Sequence, residues 1–414
     1  MSEPRPKPFE ISKKVVYMAY LRVKGNQGAA GVDRQSIEEF ERELKGNLFR
    51  IWNRMSSGSY FPPPVRAVEI PKSGGGIRVL GVPTVADRVA QTVASMYLER
   101  RVEPIFHPDS YGYRPKRSAL DAVAVCRERC WKSDWVIDLD IRAFFDTIDH
   151  DLLLRAVARH ATEPWVLLYV RRWLVAPLQR PDGALVARER GSPQGSAISP
   201  VLANLFLHYV FDSWIARRFP GVQFERYCDD AVVHCVSERQ ALQVRDAIAA
   251  RMAECGLELH EGKTKIVYCR DANRRGSYGH EKFDFLGYTF RPRLARNKRG
   301  EFFASFSPAI SDAAAKRIRK QMRSWWLHRR SDRSLSDLAR MINAVLRGWI
   351  GYYGKFRKSG LYPLCRHLNG ILVRWVQRKY KRMRYSSNRA RQFLKEVALR
   401  DPGLFVHWQF GTMP

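Results

Sequence analysis

The run Phe224-Glu225-Arg226-Tyr227-Cys228-Asp229-Asp230-Ala231-Val232-Val233-His234-Cys235-Val236 constrains this chain more than any other. Two short stretches rich in β-branched and aromatic residues flank a tight Cys-Asp-Asp corner, so the pattern predicts a β-hairpin with two adjacent carboxylates at its tip. An Asp-Asp corner by itself is usually only a turn, because Asp hydrogen-bonds readily to nearby backbone. A second acidic stretch, Trp135-Val136-Ile137-Asp138-Leu139-Asp140, raises it above that reading. Period-two alternation puts Asp138 and Asp140 on one face, opposite Ile137, Leu139 and Ile141. Ionised Asp is rarely set in an apolar strand without a partner, and a metal ion is the readiest one. Two such strands side by side would make a hard-oxygen site suited to Mg²⁺. From spacing alone either Asp138 or Asp140 could be the ligand.

With 414 residues, 45% hydrophobic and 12% aromatic, the chain can bury a large core and is expected to form two or three domains. Its formal charge of +31 exceeds what solubility needs and points to a polyanionic partner. Nucleic acid leads; an anionic membrane surface competes, but no long apolar run and no secretory signal is evident. No membrane partner is expected, and the reading is cytoplasmic, in a nucleoid or ribonucleoprotein setting. The seven cysteines are scattered without C-x-x-C pairs, which fits reduced thiols. Cys126 and Cys130, one helical turn apart, read as packing residues.

In chain order, Val15, Met18, Ala19, Leu21 and Val23 predict a first helix, and Ile37, Phe40, Leu44 and Leu48 a second. Pro62-Pro63-Pro64 then breaks the pattern. From Val65 to Leu80 an alternating strand, a Lys72-Ser73-Gly74-Gly75-Gly76 turn and a returning strand with Arg78 make a basic hairpin able to approach an anion. Thr84 and Asp87 have capping-box-like spacing. Tyr111-Gly112-Tyr113-Arg114-Pro115 has the aromatic and basic character of loops that stack on bases and grip backbone. Asp149 or Asp151 is expected to cap a helix, and Ser199, before Pro200, another. A helix from about Glu238 to Cys255 should stop at Gly256. Leu257 to Lys265 and Phe283 to Phe290 read as short strands.

Beyond about Arg291 basic residues far outnumber acidic ones and the pattern turns helical. Ser311 and the Ser334/Asp337 pair are candidate caps for helices bearing Ile318, Met322, Trp325 and Trp326, then Leu338, Ile342, Val345 and Trp349. A third helix carries Leu368, Leu372, Trp375 and Val376. Their other faces hold Arg319, Lys320, Arg323, Arg374, Arg378 and Lys379, a basic surface without balancing acids. Tyr352, Tyr353 and Phe356 beside Lys355, Arg357 and Lys358 are candidates to contact unpaired RNA.

Taken in order, Ile70-Pro71-Lys72 to Arg78, Tyr111 to Pro115, Asp140-Ile141 to His150, Ser192 to Pro200, Tyr227 to Asp230, Phe285-Leu286-Gly287 and Gly348-Trp349 to Phe356 closely resemble the bacterial group II intron reverse transcriptase/maturase family. The resemblance runs from about Gln27 to Tyr385. It implies an α+β, right-hand polymerase, with fingers and palm built on antiparallel sheet, followed by an all-helical thumb or maturase (X) domain. The expected boundaries are 1–64 for an N-terminal extension and the start of the fingers, 65–295 for fingers and palm, 296–385 for the helical domain, and 386–414 for a short tail without an endonuclease signature.

The same resemblance makes Asp140, Asp229 and Asp230 the catalytic carboxylates and ligands of two Mg²⁺ ions, with Mn²⁺ able to substitute. It selects Asp140 over Asp138 because the family has an aromatic five residues after its catalytic Asp, where Phe145 stands. Phe145 would reject a ribose 2′-hydroxyl. Lys72 and Arg78 would hold the incoming triphosphate, Gln194 and Gly195 would line the nucleotide pocket, and Lys263 would protonate pyrophosphate. Tyr111, Arg114, Phe285, Leu286, Gly287, Arg374 and Arg378 would contact nucleic acid. The implied partners are an RNA template, structured intron RNA, a DNA primer or target and dNTPs; a homodimer is left open.

Two departures stand out. Cys228 occupies a position where the family commonly has Ala, and Ser196-Ala197 is slightly off the usual pattern. Asp146, six residues past Asp140, resembles RNA-dependent RNA polymerases. Alternatives to an intron-mobility enzyme are a host-adopted relative in DNA repair or phage defence and an RNA-binding splicing cofactor.

Overall fold

A computed structural model describes residues 7–71, 75–274 and 276–414. It divides into two compact units, Met1–Ala122 with Leu139–Thr264, and Val123–Asp138 with Lys265–Pro414.

In the first unit, helix Lys13–Asn26 buries Val16, Ala19, Tyr20 and Val23 against helix Val85–Val102. Those positions follow i, i+3, i+4, i+7, a complete apolar stripe. Met18 and Leu21, among the apolar residues that predict this helix, fall outside that arc and are 44% and 39% exposed. The second expected helix is two. A capping box between Ser36 and Glu39 starts Ile37–Arg42, the backbone bends at Glu43, and Leu44–Ser56 follows.

After the prolines, strand Val65–Pro71 pairs antiparallel with Ile77–Val82 and parallel with Leu178–Gln179, which pairs with Leu185–Val186. Lys72 lies outside the described residues. Thr84 caps Val85–Val102 by accepting from the Asp87 amide, but the Asp87 side chain does not bond back. Strands Gln223–Tyr227 and Asp230–Cys235 form the expected hairpin, with Tyr227 opposite Asp230. Cys228 and Asp229 are therefore a two-residue turn, and Cys228 takes φ +60°, as tight turns between right-twisted strands require. Helix Glu238–Glu254 stops before Gly256 at φ +73°.

Two local expectations change here, at Ser199 and at 257–265, and one alternative is resolved. Ser199 is the first residue of helix Ser199–Leu207 rather than its cap; its hydroxyl donates to the Pro193 carbonyl and bonds Ser192. Asp149, not Asp151, caps His150–Ala158. The 257–265 run is no strand: Leu259 bridges Ile141, and Glu261–Lys263 turn, with Lys263 and Thr264 amides donating to the His260 carbonyl.

In the second unit, Trp135–Asp138 pairs antiparallel with Lys265–Tyr268. Phe283–Phe285, Tyr288–Arg296 and Phe302–Ile310 form a three-stranded antiparallel sheet. The run 283–290 is thus a hairpin, turning at Leu286 and Gly287, both at positive φ. The change to helix, expected just past Arg291, comes only at Asp312. Helices Asp312–Ser324 and Leu335–Tyr353 carry the expected Ser311 cap and Ser334/Asp337 capping box. With Tyr362–Lys379 they share one core around Ile318, Met322, Leu338, Ile342, Leu368 and Trp375. Residues 386–414, expected as a tail, are largely helical too. Ser387–Arg400 adds Leu394 and Ala398 to that core, one helical turn apart, and Val406–Gln409 with its cap Phe405 adds Phe405 and Trp408.

Candidate active site

The hairpin tip gains its geometry from below. Arg226, 1% exposed, uses all five N–H donors. Nε and Nη2 grip Asp212 at 2.7 and 2.6 Å, Nη2 also reaches the Ser110 hydroxyl at 2.8 Å, and Nη1 donates to Asn204 Oδ1 at 3.0 Å and the Cys228 carbonyl at 2.9 Å. Asp212 is fully buried and sits at the end of a π-turn, His208–Asp212, inserted between two α-helices. Such turns commonly re-aim a side chain at functional sites. The Asn204 amide donates to the Gly112 carbonyl at 2.7 Å, and Tyr111 N and Arg226 O bond at 2.8 Å. A Cβ on Gly112 would lie 2.4 Å from the Cys228 amide nitrogen, so only glycine fits there.

On top of this support the three acids converge. Asp230 is solvent-exposed, yet its carboxyl is pushed up to about 6, first by surrounding protein mass and then by the charges of Asp229 and Asp140. Lys263 and Arg78 act in the opposite direction. Lys263 Nζ stands 3.3 Å from an Asp140 oxygen, and its turn is held because the His260 amide donates to the Asp140 carbonyl at 2.8 Å. The Cys228 thiol, also pushed well up by burial and by Asp229, hydrogen-bonds the Asp229 side chain. Asp140, Asp229 and Asp230 are hard-oxygen donors of the type a divalent cation prefers, and Lys263 and Arg78 act against the repulsion that Asp230 meets from the other two. Asp138 instead lies opposite Lys265 in the second unit.

The expected nucleotide-pocket residues cluster in the same unit. The Phe145 carbonyl accepts from the Ser192 amide at 2.7 Å, and His150 Nε2 is 2.8 Å from the Gly191 carbonyl. These bonds tie the half-buried Phe145 to the 191–200 loop. The Gln194 carbonyl accepts from Gly81 at 2.8 Å; at Gly195, φ is +116° and a Cβ would meet the Gly81 carbonyl at 2.7 Å. Arg78 is exposed, and its charge works against the upward shifts of both Asp230 and Tyr113.

A buried carboxylate anchors that loop from behind. Asp87 accepts from Tyr60 and Trp173 at 2.8 Å each and from Gln91 at 2.9 Å, while Gln91 Oε1 accepts from the Ala197 amide at 2.8 Å. Burial pushes the Asp87 carboxyl up to about 6, against the pull of its three donors. In the sequence Arg226 carries no mark of this role, and Asp87 marks only a capping-box spacing with Thr84. The signal was a charged residue inside an apolar strand and one inside an apolar helix.

Several expected contacts are corrected. Tyr111 is 3% exposed, and Arg114 is locked to both Glu103 oxygens and to the carbonyls of His107 and Ser110. Both build the loop rather than present themselves to a ligand; Tyr113, 58% exposed and 6.5 Å from the Tyr227 ring, is the aromatic that faces out. In the second unit Phe285 is 2% exposed, the Leu286 carbonyl accepts from Tyr352, and Gly287 lies against Tyr353. Tyr352, Tyr353 and Phe356 pack around Tyr288 with ring centroids 5.4, 5.7 and 5.4 Å away. The three rings are half-buried and pack on the fully buried Tyr288. Arg374 and Arg378 do remain exposed.

Residues 70–290 match the family described as "Reverse transcriptase (RNA-dependent DNA polymerase)", and residues 315–393 match "Group II intron, maturase-specific domain". Protein YkfC of Escherichia coli (strain K12) is 35% identical over 309 residues, 65% of this chain and 76% of that protein. The group II intron-encoded protein LtrA of Lactococcus lactis subsp. cremoris is 30% identical over 203 residues, 48% of this chain and 33% of its own length. The chain therefore spans about a third of the Lactococcus relative. Among solved structures, apo telomerase from Candida tropicalis truncated from its C-terminal domain aligns over 58% of each chain at 14% identity and a TM-score of 0.42, too low to carry an argument. Among the described residues no helix is long and apolar enough to cross a membrane. The first match alone covers more than half the chain: it belongs to the reverse transcriptases, RNA-dependent DNA polymerases, here of mixed α+β structure and with a group II intron maturase domain, a family that works on nucleic acid with divalent metal.

Proposed function

We propose that this chain copies RNA into DNA at the Asp140, Asp229 and Asp230 cleft, and that it also binds intron RNA to assist splicing and retrohoming. The observation that carries the polymerase reading is the nearness of the three carboxylates: the Asp230 carboxyl, raised first by burial, also feels the charges of Asp229 and Asp140. On this reading Asp140, Asp229 and Asp230 would hold two Mg²⁺ ions. Those ions, when bound, supply the Lewis acidity that activates a primer 3′-hydroxyl and the charge that stabilises departing pyrophosphate.

The chain's own groups do the rest. Arg78, with Lys72, neutralises the incoming triphosphate, and Gln194 and Gly195 border the nucleotide. Phe145 excludes a ribose 2′-hydroxyl. Lys263, drawn to Asp140 at 3.3 Å, is the nearby cation able to meet the leaving group with charge or a proton. Arg226 holds the Cys228 carbonyl and so fixes where the Asp229 and Asp230 side chains start. Residues 65–295 would act as fingers and palm, 1–64 as an extension of the fingers, and 296–385 as thumb and maturase domain, with 386–414 completing the latter's core.

The splicing part rests on the maturase-specific match and on the +31 charge. Primer extension on an RNA template with dNTPs and Mg²⁺ tests the polymerase. Asp229→Ala should cost at least ~10²–10³-fold, the order lost with a single electrostatic stabiliser; extension at the wild-type rate in that variant would overturn the assignment. For splicing, the Asp140→Ala protein should still speed excision of its intron RNA. A protein that never does so in wild type leaves only the polymerase.

A further inference from the structure

The helical part of the second unit holds a cleft of about 760 Å³ lined by His328, Arg374, Gln377, Arg378, Lys381 and Arg384, with no acid among them. Its walls are fixed. Trp375 Nε1 donates to the Arg330 carbonyl at 2.8 Å, Lys379 to the Ser331 and Arg333 carbonyls at 3.1 and 2.5 Å, and Gln377 to the Arg384 carbonyl at 3.5 Å. Cationic side chains therefore crowd together on a rigid frame, an arrangement that costs repulsion until an anion enters.

Two aromatics stand at its rim. Sequence periodicity places Trp326 in the core beside Trp325, but the structure turns it out. Trp325 stacks on Trp349 at 5.5 Å, and Leu327 is fully buried. Trp326 between them adopts φ +51° and remains 51% exposed. A bulky residue in the left-handed region is a strained exception, and strain of this kind gathers at ligand sites. Its ring lies 5.9 Å from the His328 ring and carries the Arg329 guanidinium 4.3 Å over its face. Tyr385, 90% exposed, sits with Arg384 at 5.5 Å. Burial, then Arg378 and Arg374, hold His328 below its ordinary pKa, so it remains a neutral hydrogen-bonding ring at pH 7.

We propose that this cleft is a binding site for an unpaired segment of RNA, with bases stacking on Trp326 and Tyr385 while Arg374, Arg378, Lys381 and Arg384 hold the flanking phosphates. The proposal rests on the reading that the chain works on RNA, and deepens it. Duplex RNA keeps its base faces stacked inside the helix, so exposed indole and phenol faces beside phosphate-binding cations suit single strands. Arg329 over the Trp326 ring and Arg384 beside the Tyr385 ring add cation–π attraction.

The test uses the full chain and three probes of equal length: a short single-stranded RNA, the same strand with abasic positions, and a duplex. Binding is followed by fluorescence anisotropy across a salt series for wild type, Trp326→Ala, Tyr385→Ala and Arg378→Ala. Trp326→Ala should weaken single-strand binding roughly 5- to 150-fold, the loss of one stacked base, with the salt slope unchanged. Its effect on the abasic strand should be small. Arg378→Ala should instead lower the salt slope by about 1 for both strands. A strand carrying 5-iodouridine should photo-crosslink to Trp326 or Tyr385.

Wild-type affinity in both aromatic variants, equal losses on intact and abasic strands, or crosslinks found only elsewhere would overturn the site. Melting temperatures of the variants separate a folding defect from lost stacking, and Trp326→Phe should restore most of the binding if stacking is the cause. Primer extension run on the same preparations keeps the two readings apart. Failure of wild type to extend strikes the polymerase, whereas extension with aromatic variants that bind normally strikes this cleft alone.

Discussion

Arg226 and Arg378 carry the same charge and are used in opposite ways. Arg226 is sealed beneath the Cys228–Asp229 turn, every donor satisfied by Asp212, Asn204, Ser110 and a carbonyl. Arg378 lies exposed on the rim of a cleft that holds no acid. A buried, fully bonded arginine can only position its neighbours, since it has no donor left for a ligand. An exposed one among like charges adds little to folding but is available to phosphate. Burial and partner count, rather than residue type, separate scaffold charge from binding charge in this protein.

The sharpest way to break the contrast is to remove Arg226. Arg226→Ala strands Asp212 in the interior and should cost about 3–5 kcal/mol of stability in urea titrations, enough to prevent folding at 37 °C in a marginal background. The paired variant Arg226→Met/Asp212→Leu should recover much of that stability yet extend primers poorly, because the Cys228 carbonyl loses its donor. Full activity in the paired variant would mean that the turn needs no such support.

Asp87 sharpens the same point with pH. Its folded pKa of about 6 lies above the ordinary 3.8, so the native state binds a proton more tightly than the unfolded chain. The stability that this proton contributes is complete below pH 4 and is lost as pH rises through 6. Across that window the wild type should lose on the order of 3 kcal/mol relative to Asp87→Asn, measured as the difference between their stability curves. At pH 7 Asp87→Asn should also raise KM for dNTP more than it lowers kcat. An Asn amide opposes the Gln91 amide, and a flipped Gln91 no longer accepts from Ala197. Identical pH curves would show that Asp87 does not titrate.

A smaller effect is expected at Cys228. Cys228→Ala removes a thiol hydrogen bond to Asp229 and a little buried volume, so stability should fall by about 1 kcal/mol and activity by less than roughly tenfold. Smallest of all, Arg378→Ala should leave stability within ~0.5 kcal/mol in the same urea titration, as exposed substitutions do. A large loss there would erase the contrast with Arg226.

The hairpin, its acidic tip and the helix caps at Thr84, Ser311 and Ser334 were legible because each depends on residues close in sequence. The strand alternation around Asp138 and Asp140 was legible too, but not which acid joins the hairpin. Tyr111, Arg114 and Phe285 were misread as contact residues for one reason. An aromatic or arginine at a loop looks alike whether it faces solvent or a partner far along the chain. Trp326 erred the other way: the helical stripe continued through it, but the backbone turned one residue early and Leu327 took the core position.

The sequence by itself determined the hairpin, the apolar stripes and the order of motifs that marks a reverse transcriptase, since these follow from local geometry and periodicity. Only the tertiary structure decided which charges are sealed and which are offered. Desolvation and partner geometry are set by residues such as Ser110, Asn204, Asp212 and Arg226, which lie far apart along the chain and meet only on folding.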